Sequence, residues 1–419
     1  MTGLSPAAPP VVAPPRPAVV LRLLAGRGVF RLSVQVMGLV LITAWGAHDY
    51  GRFANALGLM TWLNFVPAAA EKSALKALPR LRLTRDAVAA LAVRIAAVPV
   101  LVVLAAMVVT LVVAPKSDAA LYLTAAAWSI SGGLLMTVSG LHRLRDRSTL
   151  DALAFAAGSV VVGIVTCVTW AVRWSPETHL ALLLAGLVVI LGASVALLPR
   201  PWLRGGGVPG HRLLPAYGRS TVLLGLTELL DVISTSVVFG VLALSGRTTD
   251  SGPFYLALLV SSAFCSLLFY QLKLHQPTAS RRMRGTGAVA GRARASELLK
   301  LVERAGIGFA VVLGAGLAVP STRALLTAED SYIVLGVLVL VETTLYATGL
   351  YASFLVENTN SKVLTLTSGT AVVALAATAV GAALLVPPLG PVGGFAALVL
   401  ALAVKAAVLR RLLHRRHSF

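Results

Sequence analysis

Long apolar segments separated by short polar connections run through almost the whole chain. A helix needs about 20 mostly apolar residues to cross the hydrocarbon layer of a membrane. Segments of that length fall into two sets of six. They are 19–46, 51–70, 87–114, 119–141, 150–172, 178–199, 218–244, 252–274, 297–319, 331–354, 361–385 and 391–412. The pattern predicts an all-α integral membrane protein with about 12 transmembrane helices.

A short motif occurs once in each half of the chain. Residues 49–57 read DYGRFANAL and residues 250–258 read DSGPFYLAL, so both fit D-x-G-x-F-x-x-A-L at an offset of 201 residues. Residues 153–162 and 364–373 share a second, weaker pattern. Internal repeats of this kind are typical of transporters. We therefore predict two parallel six-helix repeats around a central cavity.

The spans and their connections divide the chain into four parts. Residues 1–18 hold six prolines, which predicts a short disordered cytoplasmic tail. Residues 19–200 form the predicted N-terminal six-helix lobe, and 201–217 form a cytoplasmic linker. Residues 218–419 form the C-terminal six-helix lobe with a basic cytoplasmic tail.

Composition and charge agree with a membrane protein. Apolar residues make up 57% of the chain, charged residues only 12%, and the mean hydropathy is +0.86. Most of the 36 lysines and arginines fall on one side of the predicted spans, which predicts that both termini lie in the cytoplasm. The net charge of +20 then indicates contact with anionic membrane lipids rather than with nucleic acid.

Charged residues inside spans are the candidate functional residues, because they are costly to place in lipid. In the first span Arg27, Arg31 and Gln35 recur at i, i+4 and i+8 and share one helix face. In the seventh span Glu228 and Asp231 also share a face, and the repeat offset maps Arg27 onto Glu228. Symmetry-related helices are thus predicted to present a basic stripe and an acidic stripe at matching depth.

These stripes predict a polar cavity that receives an anionic group. The predicted substrate-binding residues are Arg27, Arg31, Gln35, Arg52, Asn55 and Asn64. The predicted cavity carboxylates, available for ion coupling, are Glu228, Asp231 and Glu342. A structural interpretation is also open, in which Arg27 extends to the cytoplasmic surface, Arg31 pairs with Asp231, and Arg52 contacts lipid headgroups.

Motifs of other chemistries are missing from the sequence. It has no G-x-x-x-x-G-K-[ST] phosphate-binding loop, no His/Cys metal-ligand spacing and no G-x-S-x-G. We therefore expect no catalytic residues, no metal and no cofactor. This favours a secondary transporter over a pump or a hydrolase.

Several short passages resemble a known superfamily of exporters. They are the first hairpin at 39–54, Asp231 followed by Gly252–Ala257, Gln276-Pro277, and the glycine-rich turn Pro388–Ala397. Together they resemble the multidrug/oligosaccharidyl-lipid/polysaccharide (MOP) exporter superfamily, and within it the polysaccharide and O-antigen flippases. The resemblance covers about 20–412.

This resemblance implies a function and its partners. A flippase of this branch moves an undecaprenyl-pyrophosphate-linked oligosaccharide outward, with two rocking lobes and with helices 1, 2, 7 and 8 lining the cavity. The resemblance also implies a bacterial cell (inner) membrane, and a polysaccharide polymerase or glycosyltransferases as further partners.

Three other functions remain open from the sequence. A cation-coupled multidrug antiporter of the related branch would favour an acidic, aromatic-lined cavity over one containing Arg27 and Arg31. A membrane glycosyltransferase or polymerase would need a larger outer loop than any predicted here. A non-transporting scaffold for a polysaccharide assembly is the third.

Overall fold

The computed structural model describes residues 17–81, 83–114, 117–204, 210–282, 304, 306–316, 318–320, 332–359 and 364–416. Within these ranges the regular structure is entirely helical. The helices are α1 Pro17–Met60, α2 Phe65–Ala77, α3 Arg85–Val113, α4 Asp118–Arg143, α5 Ser148–Val172, α6 Pro176–Ala196, α7 Arg200–Arg204, α8 Gly210–Leu244, α9 Ser251–Arg282, α10 Gly306–Gly316, α11 Tyr332–Thr359, α12 Leu364–Leu389 and α13 Pro391–Arg416. The predicted all-α membrane fold is confirmed.

Apolar length explains these helices. In the part of the chain that the structure describes, nine helical segments are long and apolar enough to cross a membrane, the first of them running from Leu21 to Ala77. Helix α9 coincides with the eighth predicted span, and α10 lies within the ninth. Residues 297–303, 305 and 317 of that ninth span lie outside the described residues, as do residues 1–16 of the predicted tail.

The first two predicted spans form one bent helical segment. Helix α1 turns at Gly46, whose φ of 74° is in the left-handed region that favours glycine. After a 3-10 turn at Thr61–Asn64 the segment continues in α2 to Ala77, so the predicted end at residue 70 is wrong. The prediction stopped at the charges of Glu71 and Lys72, but both side chains are buried in the helix packing.

The predicted linker at 201–217 is also corrected. Helix α7 covers residues up to Arg204, and α8 begins at Gly210 rather than at 218. Residues 205–209 lie outside the described part of the chain. Helix α1 likewise begins inside the predicted 1–18 tail, at Pro17. In both places the helices extend beyond the predicted apolar spans.

The N-terminal lobe (α1–α6) and the C-terminal lobe (α8–α13) meet mainly through two helix pairs, α1 with α9 and α2 with α8. We call the end of the bundle where α3 begins and α4 ends the basic face, because Arg85 and Arg143 lie there. The other end, where α1 bends at Gly46, is the opposite face. The lobes therefore touch through α1, α2, α8 and α9.

The repeated motif forms the contact between the lobes at the opposite face. A Cβ added to Gly51 would lie 2.8 Å from the carbonyl oxygen of Thr248, and one added to Gly252 would lie 3.0 Å from the ring of Tyr50. The motif phenylalanines, Phe53 and Phe254, are both fully buried. The two motif glycines thus occupy corresponding positions at which the lobes approach each other closely.

Replacing Gly51 tests this contact. A Cβ at this position would also meet the Cα of Thr249 at 2.9 Å, and backbone atoms have no side-chain freedom with which to move away. We expect Gly51→Ala to lower the free energy of unfolding by about 1–3 kcal/mol. Thermal unfolding of the purified protein in detergent measures this.

Gly163→Ala is the matched control, because a Cβ there would have no neighbour within 4 Å. Equal melting temperatures for the two variants would contradict the close contact between the motif copies.

Candidate functional site

Four charged side chains form one buried network in the N-terminal lobe. Arg27 on α1 lies 3.2 Å from Asp151 on α5. Arg143 on α4 lies 3.0 Å from the same carboxylate and 2.6 Å from Glu71 on α2. We call these four residues the N-lobe ion network. It joins four helices near the basic face.

Local packing positions this network. A Cβ added to Gly26 would lie 2.9 Å from the carbonyl oxygen of Ala152, so α1 and α5 approach closely beside the Arg27–Asp151 pair. The Arg27 guanidinium also lies 4.4 Å from the centre of the Phe155 ring, a cation–π distance. Arg27 is only 8% exposed. The expectation that it extends to the surface is therefore wrong.

A second buried ion pair joins the two lobes. The ammonium group of Lys72 on α2 lies 2.6 Å from a carboxylate oxygen of Glu228 on α8, and both side chains are less than 10% exposed (7% and 9%). The hydroxyl of Tyr217 on α8 donates a hydrogen bond of 3.2 Å to the carbonyl of Ala70. We call Lys72 and Glu228 the inter-lobe ion pair.

A third ion pair lies within the C-terminal lobe. Lys405 on α13 donates to both carboxylate oxygens of Asp231 at 2.6 Å. In the alternative interpretation Asp231 pairs with Arg31. The structure instead pairs Asp231 with Lys405, which lies 174 positions further along the chain. Glu342 on α11 accepts a 2.5 Å hydrogen bond from Ser261 on α9. The charge of Asp231 also interacts with that of Glu228, so these two predicted carboxylates do lie near each other.

Unlike the buried charges described above, Arg31 has no ion partner among the described residues. No hydrogen bond within them reaches its guanidinium either, and the residue is partly buried. Its charge interacts with Arg27 one turn earlier and with Tyr255 on α9. One turn later, Gln35 donates a 3.0 Å hydrogen bond to the carbonyl of Leu259, also on α9. Arg31 therefore lies at the junction of the lobes with its charge unbalanced.

Asn55 connects the lobes at the opposite face. Its amide donates to the carbonyl of Phe239 and to the hydroxyl of Ser251, both at 2.9 Å, and its oxygen accepts from Tyr122 at 2.7 Å. These partners satisfy a fully buried amide. The structure thus gives Asn55 a bridging position, separate from Arg31.

Two further predicted binding residues also lie apart from Arg31. Arg52 contacts Asp118 at 2.5 Å and Glu177 at 3.6 Å at the opposite face. The backbone of Asn64 packs against Gly133 on α4, and its buried side-chain oxygen has no hydrogen-bond partner in the described part of the chain. The nine predicted residues are therefore distributed over the depth of the bundle rather than gathered at one point.

Five residues of the ion pairs were missing from the prediction: Glu71, Lys72, Arg143, Asp151 and Lys405. The positive-inside pattern assigned the basic ones to loops and tails. One feature of the sequence could have identified these pairs, namely that acidic residues are scarce, with 16 of them against 36 basic residues. A carboxylate on the basic side of a span, such as Asp151, has many cations within reach.

No protein-family model and no curated protein sequence matches the chain. Solved structures do match over nearly its whole length. One is the outward-facing conformation of a multidrug resistance MATE family transporter of the MOP superfamily, with a TM-score of 0.67, 14% identity, and coverage of 96% of this chain and 95% of that one. Its inward-facing counterpart gives a TM-score of 0.56, 15% identity, and coverage of 98% and 96%.

A third match is a MOP superfamily transporter from Pyrococcus furiosus, for which a reverse polarity of the binding pocket has been taken to suggest a different function. It has a TM-score of 0.59, 13% identity, and coverage of 94% of this chain and 95% of that one. Identities this low establish the fold alone. The chain therefore has the fold of the MATE transporters of the MOP superfamily, in agreement with the superfamily resemblance.

The inter-lobe ion pair gives a testable stability prediction. Glu228→Gln removes the carboxylate that lies 2.6 Å from the buried ammonium of Lys72, which costs about 3–5 kcal/mol of unfolding free energy. Replacing both residues by methionine removes the buried ammonium as well, so we expect the double variant to recover most of the loss. Thermal unfolding in detergent compares the two.

Glu177→Gln is the control, because its carboxylate is more exposed and lies farther from its cation, at 3.6 Å. A double variant as unstable as Glu228→Gln would contradict the pairing.

Proposed function

We propose that the chain is a secondary transporter whose two lobes expose one substrate site to each side of the membrane in turn. The observation that carries this proposal is the match over nearly the whole chain to both an outward-facing and an inward-facing transporter. Alternating access by movement of one helix bundle against the other fits a chain built from two repeats.

The lobes contact each other in two places, one near the basic face and one at the opposite face. We call these two sets of contacts the closures, and each can open separately. Near the basic face the closure includes the inter-lobe ion pair and the packing of Ala69 against Gly225. At the opposite face it consists of the repeated motif and the hydrogen bonds of Asn55. Opening the basic-face closure releases the Glu228 carboxylate from Lys72, so that it becomes free to take a proton or a cation. Glu228 is therefore the residue at which we propose that transport is coupled to a proton or a cation.

One candidate function is cation-coupled export of organic drugs. It is supported by the solved structures of similar fold, which include multidrug resistance transporters. The aromatic side chain of Tyr346 also interacts with the charges of Glu228, Asp231 and Glu342, which gives the C-terminal lobe the acidic and aromatic character that such a substrate requires.

A second candidate is the outward flipping of an undecaprenyl-pyrophosphate-linked oligosaccharide. It is supported by the charge balance at the lobe junction, where Lys72 and Lys405 neutralise Glu228 and Asp231 while Arg31 has no partner among the described residues. A pyrophosphate would supply the missing negative charge. This function would also place the basic face on the cytoplasmic side of a bacterial cell membrane. It would imply a polysaccharide polymerase or glycosyltransferases as partners.

Transport by purified protein in liposomes separates the two candidates. One assay follows ethidium uptake driven by a proton or sodium gradient, and the other follows flipping of a fluorescent lipid-linked oligosaccharide. If the substrate is the anionic lipid, Arg31→Gln should lower flipping about tenfold or more, because it removes a charge-assisted contact. If the substrate is a cationic drug, the same variant should leave ethidium uptake intact.

Arg22→Gln is the control, since Arg22 is an exposed residue on the same helix. Activity in neither assay, by protein that remains folded, would contradict both candidates.

A further inference from the structure

A polar cavity of about 430 Å³ lies at the basic face, within the N-terminal lobe. Its wall includes Arg85 and Asp86 at the start of α3, Arg145 and Asp146 just after α4, and Trp202 on α7. The volume is in the range of small-ligand sites. None of these residues belongs to the ion pairs or to the lobe junction, so the cavity is separate from the proposed transport site.

Two guanidinium groups lie against one indole in this cavity. Trp202 is 4% exposed, and its ring nitrogen donates a 2.8 Å hydrogen bond to Asp86. The guanidinium carbons of Arg85 and Arg145 lie 5.7 and 5.8 Å from the ring centre. The indole thus has two guanidiniums within cation–π distance, and both line the same cavity.

Both guanidiniums keep donors unused. Arg85 gives one hydrogen bond of 3.0 Å to the carbonyl of Leu144, but its buried Nε has no hydrogen-bond partner among the residues that the structure describes. Across the described ranges no hydrogen bond or ion pair engages the side chain of Arg145. Paired guanidiniums with free donors match the oxygen atoms of a phosphate.

The cavity also presents a free acceptor. Asp146 has a φ of 60°, a left-handed conformation that is uncommon for residues other than glycine. Its carboxylate lines the cavity, and within the part of the chain that the structure describes it accepts no hydrogen bond and forms no ion pair. Because the indole of Trp202 takes up one oxygen of Asp86 while no described residue engages Asp146, Asp146 is the more available acceptor for a ligand.

The position of the cavity indicates where such a ligand comes from. Membrane-spanning segments begin at Arg85 and end at Arg143 and Ala196, so the cavity lies where the spans leave the hydrocarbon layer. Leu83 is 97% exposed and Leu197 is 50% exposed at the same level. Such apolar surface beside a polar cavity suits a molecule with a charged head and an apolar tail.

We propose that this cavity binds the zwitterionic headgroup of a phospholipid, with the phosphate on Arg85 and Arg145 and a primary ammonium on Asp146. The required chemistry is a phosphodiester beside a hydrogen-bonding ammonium, as in phosphatidylethanolamine. A headgroup with no ammonium leaves Asp146 unpaired, and a quaternary ammonium has no N–H to donate. The site is independent of the transported substrate.

Native mass spectrometry of the delipidated full-length protein tests the proposal. Phosphatidylethanolamine, phosphatidylglycerol and phosphatidylcholine are titrated separately. We expect one phosphatidylethanolamine to bind about tenfold more tightly than either of the others, because only it forms both charge-assisted contacts. Arg145→Gln should weaken its binding about tenfold. The neighbouring Arg147, which is exposed and does not line the cavity, provides the control Arg147→Gln.

Asp146→Asn isolates the ammonium contact, since asparagine tolerates the left-handed conformation. We expect it to bring phosphatidylethanolamine down to the affinity of phosphatidylglycerol, with an unchanged melting temperature. Equal binding of the three lipids by the native chain, or binding unaffected by Arg145→Gln in folded protein, would overturn the proposal.

Soluble O-phosphoethanolamine distinguishes the two sources of this chemistry. Failure to displace the bound lipid at millimolar concentration supports a membrane ligand. Displacement at the affinity of the lipid itself would overturn the assignment to a lipid, because the site would then recognise a free headgroup.

Discussion

An ionised side chain inside the hydrocarbon layer requires a counter-charge, and this constraint organises the structure. The N-lobe ion network joins four helices of one lobe, and Lys405 holds Asp231 in the other. The inter-lobe ion pair applies the same constraint between the lobes. Each pairing fixes the rotation of its helices more narrowly than apolar contact with lipid does.

The same constraint gives the lobe junction its character. An ion pair that connects two separately moving bodies has to break when they part, and each partner must then be solvated or paired again. Small residues let the lobes approach closely at some points, as where Gly225 meets Ala69. Larger side chains also pack between the lobes, since Leu256 of α9 shares a buried cluster with Tyr50 of α1. The unbalanced charge of Arg31 at this junction is the feature that the proposed anionic substrate would complete.

The sequence allowed the helices and the repeat to be predicted, because apolar length and a matching motif are local features. It did not allow the ion partners to be predicted. Asp231 pairs with a residue 174 positions away, and that choice depends on how α8 and α13 are rotated against each other. The spacing predicted one shared helix face for Arg27 and Gln35, but Arg27 pairs with Asp151 inside its own lobe whereas Gln35 bonds to α9 of the other lobe. The end of the second span was misjudged because Lys72 was taken for a loop residue, although its partner allows it to be buried.

Electron-spin distance measurements between labels on the two lobes test most directly whether the inter-lobe ion pair holds the basic face closed. Leu83 and Leu214 are exposed label sites near that face, and His48 and Leu244 are exposed sites at the opposite one. Labels are attached in a chain whose two cysteines have been replaced.

With methionine at both positions of the inter-lobe ion pair, the account predicts an added population of longer distances for the basic-face labels. It predicts no lengthening for the labels at the opposite face. Distance distributions identical to those of the native pair at both faces would contradict it.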